Sequence, residues 1–196
     1  MNNPIILFEN KDIKLTFETE RPKDILELNQ THSKQVCQIE ELGKSPTGED
    51  GVIFSSGNTK KVAIKTADCV PICFIGKDQI AMVHAGWRGI KQEIHLDQKI
   101  TKIKPHTIVS GPSICDSCFQ VTSEFRDEFP DHQNYFYKNN EDLFFKIKLL
   151  MKNQLELTYP QSKLIISTEC TLCRPDLHSY RRDKTIRRNY TVFQKR

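Results

Sequence analysis

The stretch KVAIKTADCVPICFIGKDQIAMVHAGWRG, residues 61–89, contains three short runs of β-branched and apolar residues. A proline and a GKDQ turn separate these runs, which is a pattern typical of strands. The predicted strands span residues 61–66, 71–76 and 79–85. Only the short turn separates the last two, so we expect them to form a hairpin. Residues 106–111 (HTIVSG) and 163–169 (KLIISTE) have a similar composition and are predicted as further strands.

Helical patterns lie outside this stretch, at residues 89–101, 121–129 and 141–157. In the longest of these segments one apolar stripe at helical spacing is formed by Leu143, Phe144, Ile147, Leu150 and Met151. A stripe of this kind is typical of core packing and not of a cofactor site. Strands mixed with helices over 196 residues, with no repeat or linker, predict an α/β fold. We expect a single domain, residues 1–196, with a mixed sheet packed against helices.

Composition limits the class of protein. Hydrophobic residues make up 37% of the chain and charged residues 28%, which is typical of a globular protein. The first residues, MNNPIILFENKD, lack the basic flank of a signal peptide, and no run is long enough to cross a bilayer. We therefore expect a cytoplasmic protein without a membrane partner, with mostly reduced cysteines, and a monomer or weak homo-oligomer.

Positive charge is concentrated near the C-terminus. Residues 174–196 hold eight Lys or Arg residues against two Asp residues. Such a cluster indicates a nucleic acid, a phosphorylated small molecule or a solvated surface. No recognition helix and no alternation of aromatic and basic residues accompanies it, so we do not expect nucleic acid binding. A small anion and a solvated face both remain open.

Two candidate metal ligands stand at the ends of neighbouring predicted strands. Cys69 precedes the strand at 71–76, and His84 lies near the end of the next strand, so both can reach one end of a sheet. A catalytic zinc site needs three protein ligands and one open position. The third donor would come from His32, His95, His106, His132 or His178. His32 has the context of a loop-edge ligand, but spacing alone does not decide between a metal site and ordinary polar or core histidines.

Four other cysteines form a paired motif. Cys115-x-x-Cys118 and Cys170-x-x-Cys173 resemble the ligand spacing of a structural zinc site with four thiolates. The intervening residues 119–169 make a longer insertion than a zinc ribbon usually has. The alternative is four unrelated thiols near strand ends, and the sequence leaves both interpretations open.

Four motifs resemble signatures of a known family. TADCVPI, VHAGWRG, GPSI-x-x-x-CF-x-V and CT…HSYRRDKT-x-RRN are similar to those of the multicopper polyphenol oxidase (laccase-domain) family. This family is also described as a purine nucleoside phosphorylase family, and it includes peptidoglycan editing factors. The matches run in order from His32 to about Asn189. The resemblance implies a laccase-domain-like α/β sandwich in which His32, Cys69 and His84 hold a zinc ion.

The resemblance also implies an activity. It is zinc-dependent phosphorolysis of purine nucleosides such as adenosine, inosine and methylthioadenosine, with adenosine deaminase activity at the same site. Purine nucleosides and phosphate are then the expected partners. Copper is a possible replacement for Zn²⁺ because Cys and His donors accept both ions. Multicopper oxidation itself is not expected, because six scattered histidines do not supply the ligands for several coppers.

The motif residues carry implied roles. The expected catalytic residues are His32, Cys69, His84, Asp68 and Arg88. The expected substrate-binding residues are Trp87, Arg181 and Arg182, with the arginines suited to phosphate because a guanidinium offers fixed paired donors. Two of these residues have a structural alternative, since Asp68 can cap a turn and Trp87 can form the wall of a pocket.

The chain also departs from the family pattern. The family carries an arginine–glycine motif near the N-terminus, whereas this chain reads LTFETERPKD with Arg21 displaced, so we expect a shortened N-terminal region. Two alternative functions stay open, and the shortened N-terminal region makes the second of them plausible. One is a Cys-dependent amidase that edits peptidoglycan precursors, with Cys69 as the nucleophile. The other is a non-catalytic zinc-binding partner protein.

Overall fold

The computed structural model describes residues 3–196, and within this range it contains fourteen strands and four α-helices. The strands are β1 (Ile5–Glu9), β2 (Ile13–Glu18), β3 (Ile25–Glu27), β4 (Val36–Gln38), β5 (Gly51–Ser55), β6 (Lys61–Thr66), β7 (Val70–Ile75), β8 (Gln79–Ala85), β9 (Thr107–Ser110), β10 (Gln120–Val121), β11 (Phe136–Asn139), β12 (Asp142–Phe145), β13 (Lys163–Ile166) and β14 (Asn189–Lys195). The helices are α1 (Trp87–Lys91), α2 (Gln98–Thr101), α3 (Ile147–Thr158) and α4 (Tyr180–Asp183). Short 3-10 helices cover Ile39–Glu41, Ile94–Leu96, Ser123–Glu128 and Pro130–Tyr135.

Three sheets organise these strands. A six-stranded sheet has the order β13-β9-β7-β8-β5-β4, and a five-stranded sheet has the order β1-β2-β14-β6-β3. A three-stranded sheet has the order β10-β12-β11. The larger sheets mix parallel and antiparallel pairs: β7 and β8 form the predicted antiparallel hairpin, whereas β13 and β9 run parallel. The predicted α/β fold with a mixed sheet packed against helices is confirmed.

The six-stranded sheet is the middle layer, because both of its faces are covered. One face packs on the five-stranded sheet, with Cys73 and Ile75 of β7 in the same cluster as Ile64 and Phe193. The other face packs on α3 and its neighbours, with Ile72 and Phe74 in that cluster. All six residues of β7 are accordingly buried, which explains why its sequence is a continuous apolar run.

The helix predictions need correction. Residues 142–145 of the predicted helix at 141–157 form strand β12, and α3 begins only at Ile147. Leu143 and Phe145 are buried while Phe144 points to the other face and stacks on Tyr137, so the strand period of two prevails over the helical stripe. The segment predicted at 121–129 is a 3-10 helix after the short strand β10.

The predicted helix at 89–101 is broken into three short pieces. Glu93 adopts a left-handed conformation with a φ of 58°, which ends α1 and starts the 3-10 helix at Ile94–Leu96. The remaining helix, α2, has only four residues. The longest helix, α3, has twelve, and within residues 3–196 no helix has the length and apolar character needed to span a membrane.

Candidate metal centre

Three metal-ligand side chains from separate segments converge at one end of the middle sheet. His32 lies in the loop before β4, Cys69 lies between β6 and β7, and His84 lies in β8. Their ligand atoms are all within 4.8 Å of one another. The Sγ atom of Cys69 is 3.7 Å from Nε2 of His32, and the centroids of the two imidazole rings are 4.8 Å apart.

The β-hairpin register brings two of these residues together. Pro71 pairs with His84, and Val70 pairs with Ala85, so Cys69 lies across from the start of the GWRG segment. Gly86 leaves space for the His32 ring and the Cys69 sulfur, because it has no side chain. A Cβ atom at this position would lie 2.8 Å from Cδ2 of His32 and 3.2 Å from Sγ of Cys69, closer than such contacts normally are.

Asp50 is the buried group that organises the centre. Its side chain has no exposed surface, and one carboxylate oxygen accepts a hydrogen bond from Nδ1 of His84 at 2.6 Å. The same carboxylate accepts hydrogen bonds from the backbone N–H groups of Thr31, His32 and Ser33, and from Oγ of Ser33. Asp50 therefore fixes the imidazole of His84 and the backbone at His32, and it leaves Nε2 of His84 on the side away from the carboxylate, where a metal can bind.

The charges in this cluster favour the thiolate form of Cys69. Burial alone would raise the pKa of the Cys69 thiol, yet hydrogen bonds with His32 and His84 lower it to about 6. Burial would lower the pKa of His84, but hydrogen bonds with Asp50 and Cys69 raise it to about 9. Burial would also raise the pKa of Asp50, and hydrogen bonds from His84 and Ser33 bring it below its usual value. Cys69 is thus a thiolate near neutral pH, which is the form that binds metals.

Backbone strain marks two positions of the centre. His32 and Asp68 have φ angles of 61° and 87°, in the left-handed region that non-glycine residues rarely adopt. The Asp68 carboxylate accepts hydrogen bonds from Oγ1 of Thr171 and from the backbone N–H of Arg181, both at 2.7 Å. Asp68 therefore ties the Cys69 loop to the C-terminal part of the chain.

A cavity of about 840 Å³ opens beside the three ligand side chains, and all three lie on its wall. Four basic side chains also line it, namely Lys65, Arg181, Lys184 and Arg188. Apolar surface is contributed mainly by Ile114, Phe119, Tyr180 and Ile186. The guanidinium of Arg181 lies 5.0 Å from the ring centroid of Phe119, so this aromatic ring supports the arginine at the cavity wall.

Three other predicted site residues lie elsewhere: Trp87, Arg88 and Arg182 are not among the described residues that line this cavity. The Trp87 ring packs edge-on against Phe125, and both partly buried rings lie against the core, while the Arg88 guanidinium lies over the Trp87 ring at 4.3 Å. The Arg182 guanidinium donates to the carbonyls of four loop residues, namely Thr171, Leu172, Arg174 and Leu177. The structure gives these three side chains packing and loop-bracing contacts.

Sequence reasoning missed several residues of the centre. Asp50 is the most important of them, and its only sequence signal is a carboxylate in a GED segment just before an apolar strand. Lys65, Lys184 and Arg188 were missed as cavity residues, because side-chain direction on a strand or loop does not follow from a charge count. Lys65 also forms an ion pair of 3.1 Å with Glu27, another cavity residue.

The family follows from a comparison with known sequences. A family model described as multi-copper polyphenol oxidoreductase laccase matches residues 9–194. The chain belongs to this laccase family. Its similarity to the purine nucleoside phosphorylase of Aquifex aeolicus is 33% identity over 187 residues, which covers 93% of this chain and 87% of that protein. Adenosine deaminase RL5, from an unknown prokaryotic organism, is 28% identical over 137 residues, 60% of this chain and 52% of that protein.

A solved structure has a similar fold. The crystal structure of Neisseria meningitidis protein NMB0706, described as a DUF152 protein, matches with a TM-score of 0.73 at 25% sequence identity. The match covers 87% of this chain and 74% of that one. The predicted family and its α/β fold are therefore confirmed.

The donor set of this laccase family member fits a single metal ion. Two imidazoles and one thiolate provide three ligands, and the cavity beside them leaves a direction from which a fourth ligand can approach. Asp50 supplies the carboxylate that commonly orients a metal-bound histidine. The only other metal-ligand group among residues 3–196 is the set of four cysteines.

Proposed function

We propose that this chain is a zinc-dependent purine nucleoside phosphorylase that also deaminates adenosine at the same site. The observation that carries the proposal is the convergence of His32, Cys69 and His84 on the wall of a basic cavity large enough for a nucleoside. The names of the Aquifex aeolicus relative and of RL5 support the same class of substrates.

His32, Cys69 and His84 would hold the metal ion. When bound, zinc supplies Lewis acidity to the reacting groups beside its open position. Asp50 holds the proton on Nδ1 of His84, so the proton that the ion displaces from this imidazole is the one on Nε2. Copper remains the alternative ion, because the same donors accept it.

The basic side chains of the cavity would bind phosphate. Arg181, Lys184 and Arg188 belong to the C-terminal basic cluster and line the cavity together with Lys65. Of these, Arg181 offers planar paired donors and is held in place by its backbone bond to Asp68 and by Phe119. We therefore propose Arg181 as the main phosphate ligand, and we propose Arg182 as a structural residue.

Asp68 would act as a positioning residue for the Cys69 loop, which it ties to the C-terminal part of the chain. The apolar side chains would hold the purine base. Ile114, Phe119 and Tyr180 offer the apolar contact surface that a flat base needs.

In phosphorolysis a phosphate oxygen bonds to C1′ of the ribose as the bond from C1′ to the base breaks, which releases the free base. In deamination an oxygen from water replaces the C6 amino group, which leaves as ammonia.

Incubation with adenosine tests the proposal. With phosphate present we expect adenine and ribose 1-phosphate, and we expect inosine as the deamination product. Both activities should fall at least a hundredfold in His84→Ala and after chelation, and added zinc should restore them in the wild type only. Cys37→Ser is the matched control, because Cys37 is a half-buried thiol outside both metal-ligand groups. A zinc-loaded protein without turnover would instead support a non-catalytic zinc-binding protein.

One observation favours the amidase alternative. Cys69, His84 and Asp50 form a connected thiol, imidazole and carboxylate, which is the order of groups in a cysteine hydrolase. The second imidazole, His32, has no role in that chemistry and fits a metal site better. The test is hydrolysis of a muropeptide precursor. The amidase would be favoured if this activity persists after chelation and is lost in Cys69→Ser but not in His32→Ala.

A further inference from the structure

We propose that Cys115, Cys118, Cys170 and Cys173 bind a second zinc ion with a structural role. The Sγ atoms of these four cysteines all lie within 4.8 Å of one another, and those of Cys118 and Cys173 are 3.3 Å apart. Four sulfur atoms held tetrahedrally about 2.3 Å from zinc are separated by about 3.8 Å. The cluster therefore has the size of a four-thiolate zinc site.

The fold brings the two halves of the motif together across more than fifty residues. Each Cys-x-x-Cys segment is a tight turn: the N–H of Cys118 donates to the carbonyl of Cys115, and the N–H of Arg174 donates to that of Cys170, both at 3.0 Å. A parallel bridge between Ser113 and Cys170 sets the two turns side by side. Two adjacent turns of this kind are the usual framework of a structural zinc site.

Hydrogen bonds around the sulfur atoms support the same interpretation. The backbone N–H of Cys115 points at Sγ of Cys170 at 3.3 Å, which is the contact that stabilises a metal-bound thiolate. The Arg182 guanidinium donates to the carbonyls of Thr171 and Leu172, which lie inside the second turn. The second turn is thus braced in place without any contribution from a metal.

The position of the cluster indicates what the zinc ion does. Ile114 and Phe119 flank the first turn, and both line the cavity of the candidate metal centre. Thr171, inside the second turn, donates a hydrogen bond to Asp68, next to Cys69. Four thiolates leave no open position on a zinc ion, so its role is to clamp two loops that form one wall of the cavity.

Metal content per chain tests this proposal without any measurement of turnover, and the two ions are assigned to their sites separately. We expect two zinc ions in the zinc-saturated wild type. The double variant Cys118→Ser/Cys173→Ser should lose one ion, and His32→Ala/His84→Ala should lose the other. Cys37→Ser, the isolated-thiol control, should keep both. A wild type that binds a single zinc ion, which disappears only in the histidine variant, would overturn the proposal, and so would iron at the cysteine cluster.

A measurement on the wild type covers the case in which the cysteine variant does not fold. Alkylation mapped by mass spectrometry should modify Cys115, Cys118 and Cys173 slowly in the zinc-loaded protein. After chelation the modification of these three residues should be at least tenfold faster. Equal rates with and without zinc would contradict the proposal. Failure of Cys118 and Cys173 to react even in the unfolded, chelated chain would show a disulfide in place of the metal.

Discussion

At the scale of single residues, one buried carboxylate determines the geometry of the centre. Asp50 accepts hydrogen bonds from three successive backbone N–H groups at residues 31–33 and from the imidazole of His84. These bonds hold His32 in its left-handed conformation, which would otherwise be unfavourable. Two of the three candidate ligands thus depend on a residue that is not a ligand itself.

Asp50→Asn tests this dependence. An amide has one oxygen acceptor, and its NH₂ group would face backbone donors, so several hydrogen bonds are lost. We expect zinc affinity to fall between tenfold and a hundredfold in a competition titration. The free energy of unfolding of the metal-free chain should drop by about 3 kcal/mol in urea. Asp78→Asn, in an exposed turn, is the matched control, and equal effects of the two substitutions would contradict the role of Asp50.

Gly86→Ala tests the space around the ligands. The added methyl group would come within 2.8 Å of the His32 ring and must displace it, whereas the backbone at Gly86 has ordinary angles. Zinc affinity should fall about tenfold, while the melting temperature of the metal-free protein should change by only a few degrees. Gly57→Ala, where the nearest atom to a Cβ is 3.5 Å away, should leave both values unchanged.

At the scale of elements, the packing of the 3-10 helix at Ile94–Leu96 on α3 buries a histidine. His95 is fully buried, and its Nε2 contacts Oε1 of Gln154 at 2.9 Å, while its Nδ1 has no hydrogen-bond partner among residues 3–196. Burial lowers the pKa of His95 to about 4, against a partial opposing effect of Gln154. The folded protein therefore holds this imidazole neutral where the unfolded chain protonates it.

This difference predicts a pH dependence of stability. Between pH 6.5 and about 4 the unfolded chain binds a proton at His95 that the folded protein does not, so stability is lost as the pH falls. The contribution of this one group is about 1.4 kcal/mol per pH unit. His95→Gln should remove that part of the slope in urea unfolding measured from pH 4 to 7. His106→Gln, at an exposed histidine, is the control, and an unchanged slope in His95→Gln would refute the assignment.

At the scale of the whole molecule, the cavity is assembled from distant parts of the chain. His32 comes from an N-terminal loop, and Cys69 and His84 belong to the central hairpin region. Arg181 comes from the C-terminal segment, where its backbone N–H is bonded to the Asp68 carboxylate. Because β14 pairs with both β2 and β6, the C-terminal strand anchors this segment beside the loops that carry the ligands. Two neighbouring arginines of this segment have different environments: Arg181 lines the cavity, whereas Arg182 donates to loop carbonyls.

The pair Arg181 and Arg182 provides a matched comparison. Arg181→Gln removes a cavity charge, so we expect the KM for phosphate to rise about tenfold with little change in melting temperature. Arg182→Gln removes the donor to four loop carbonyls, so we expect the free energy of unfolding to fall by about 1–2 kcal/mol. The KM for phosphate should be nearly unchanged. The reverse pattern would contradict the proposed roles.

The sequence by itself determined the strands of the central hairpin, because their apolar runs and turn residues are local signals. Its motifs also identified the family and pointed to His32, Cys69 and His84. Local patterns failed at residues 142–145, where Leu143 and Phe144 fit a helical stripe that continues at Ile147, and the pairing of β12 with β10 and β11 decides for a strand. Tertiary structure alone decided the role of Asp50 and the separation of Arg181 from Arg182. Hydrogen bonds between residues far apart in the chain depend on strand register and loop direction, which no short stretch of sequence encodes.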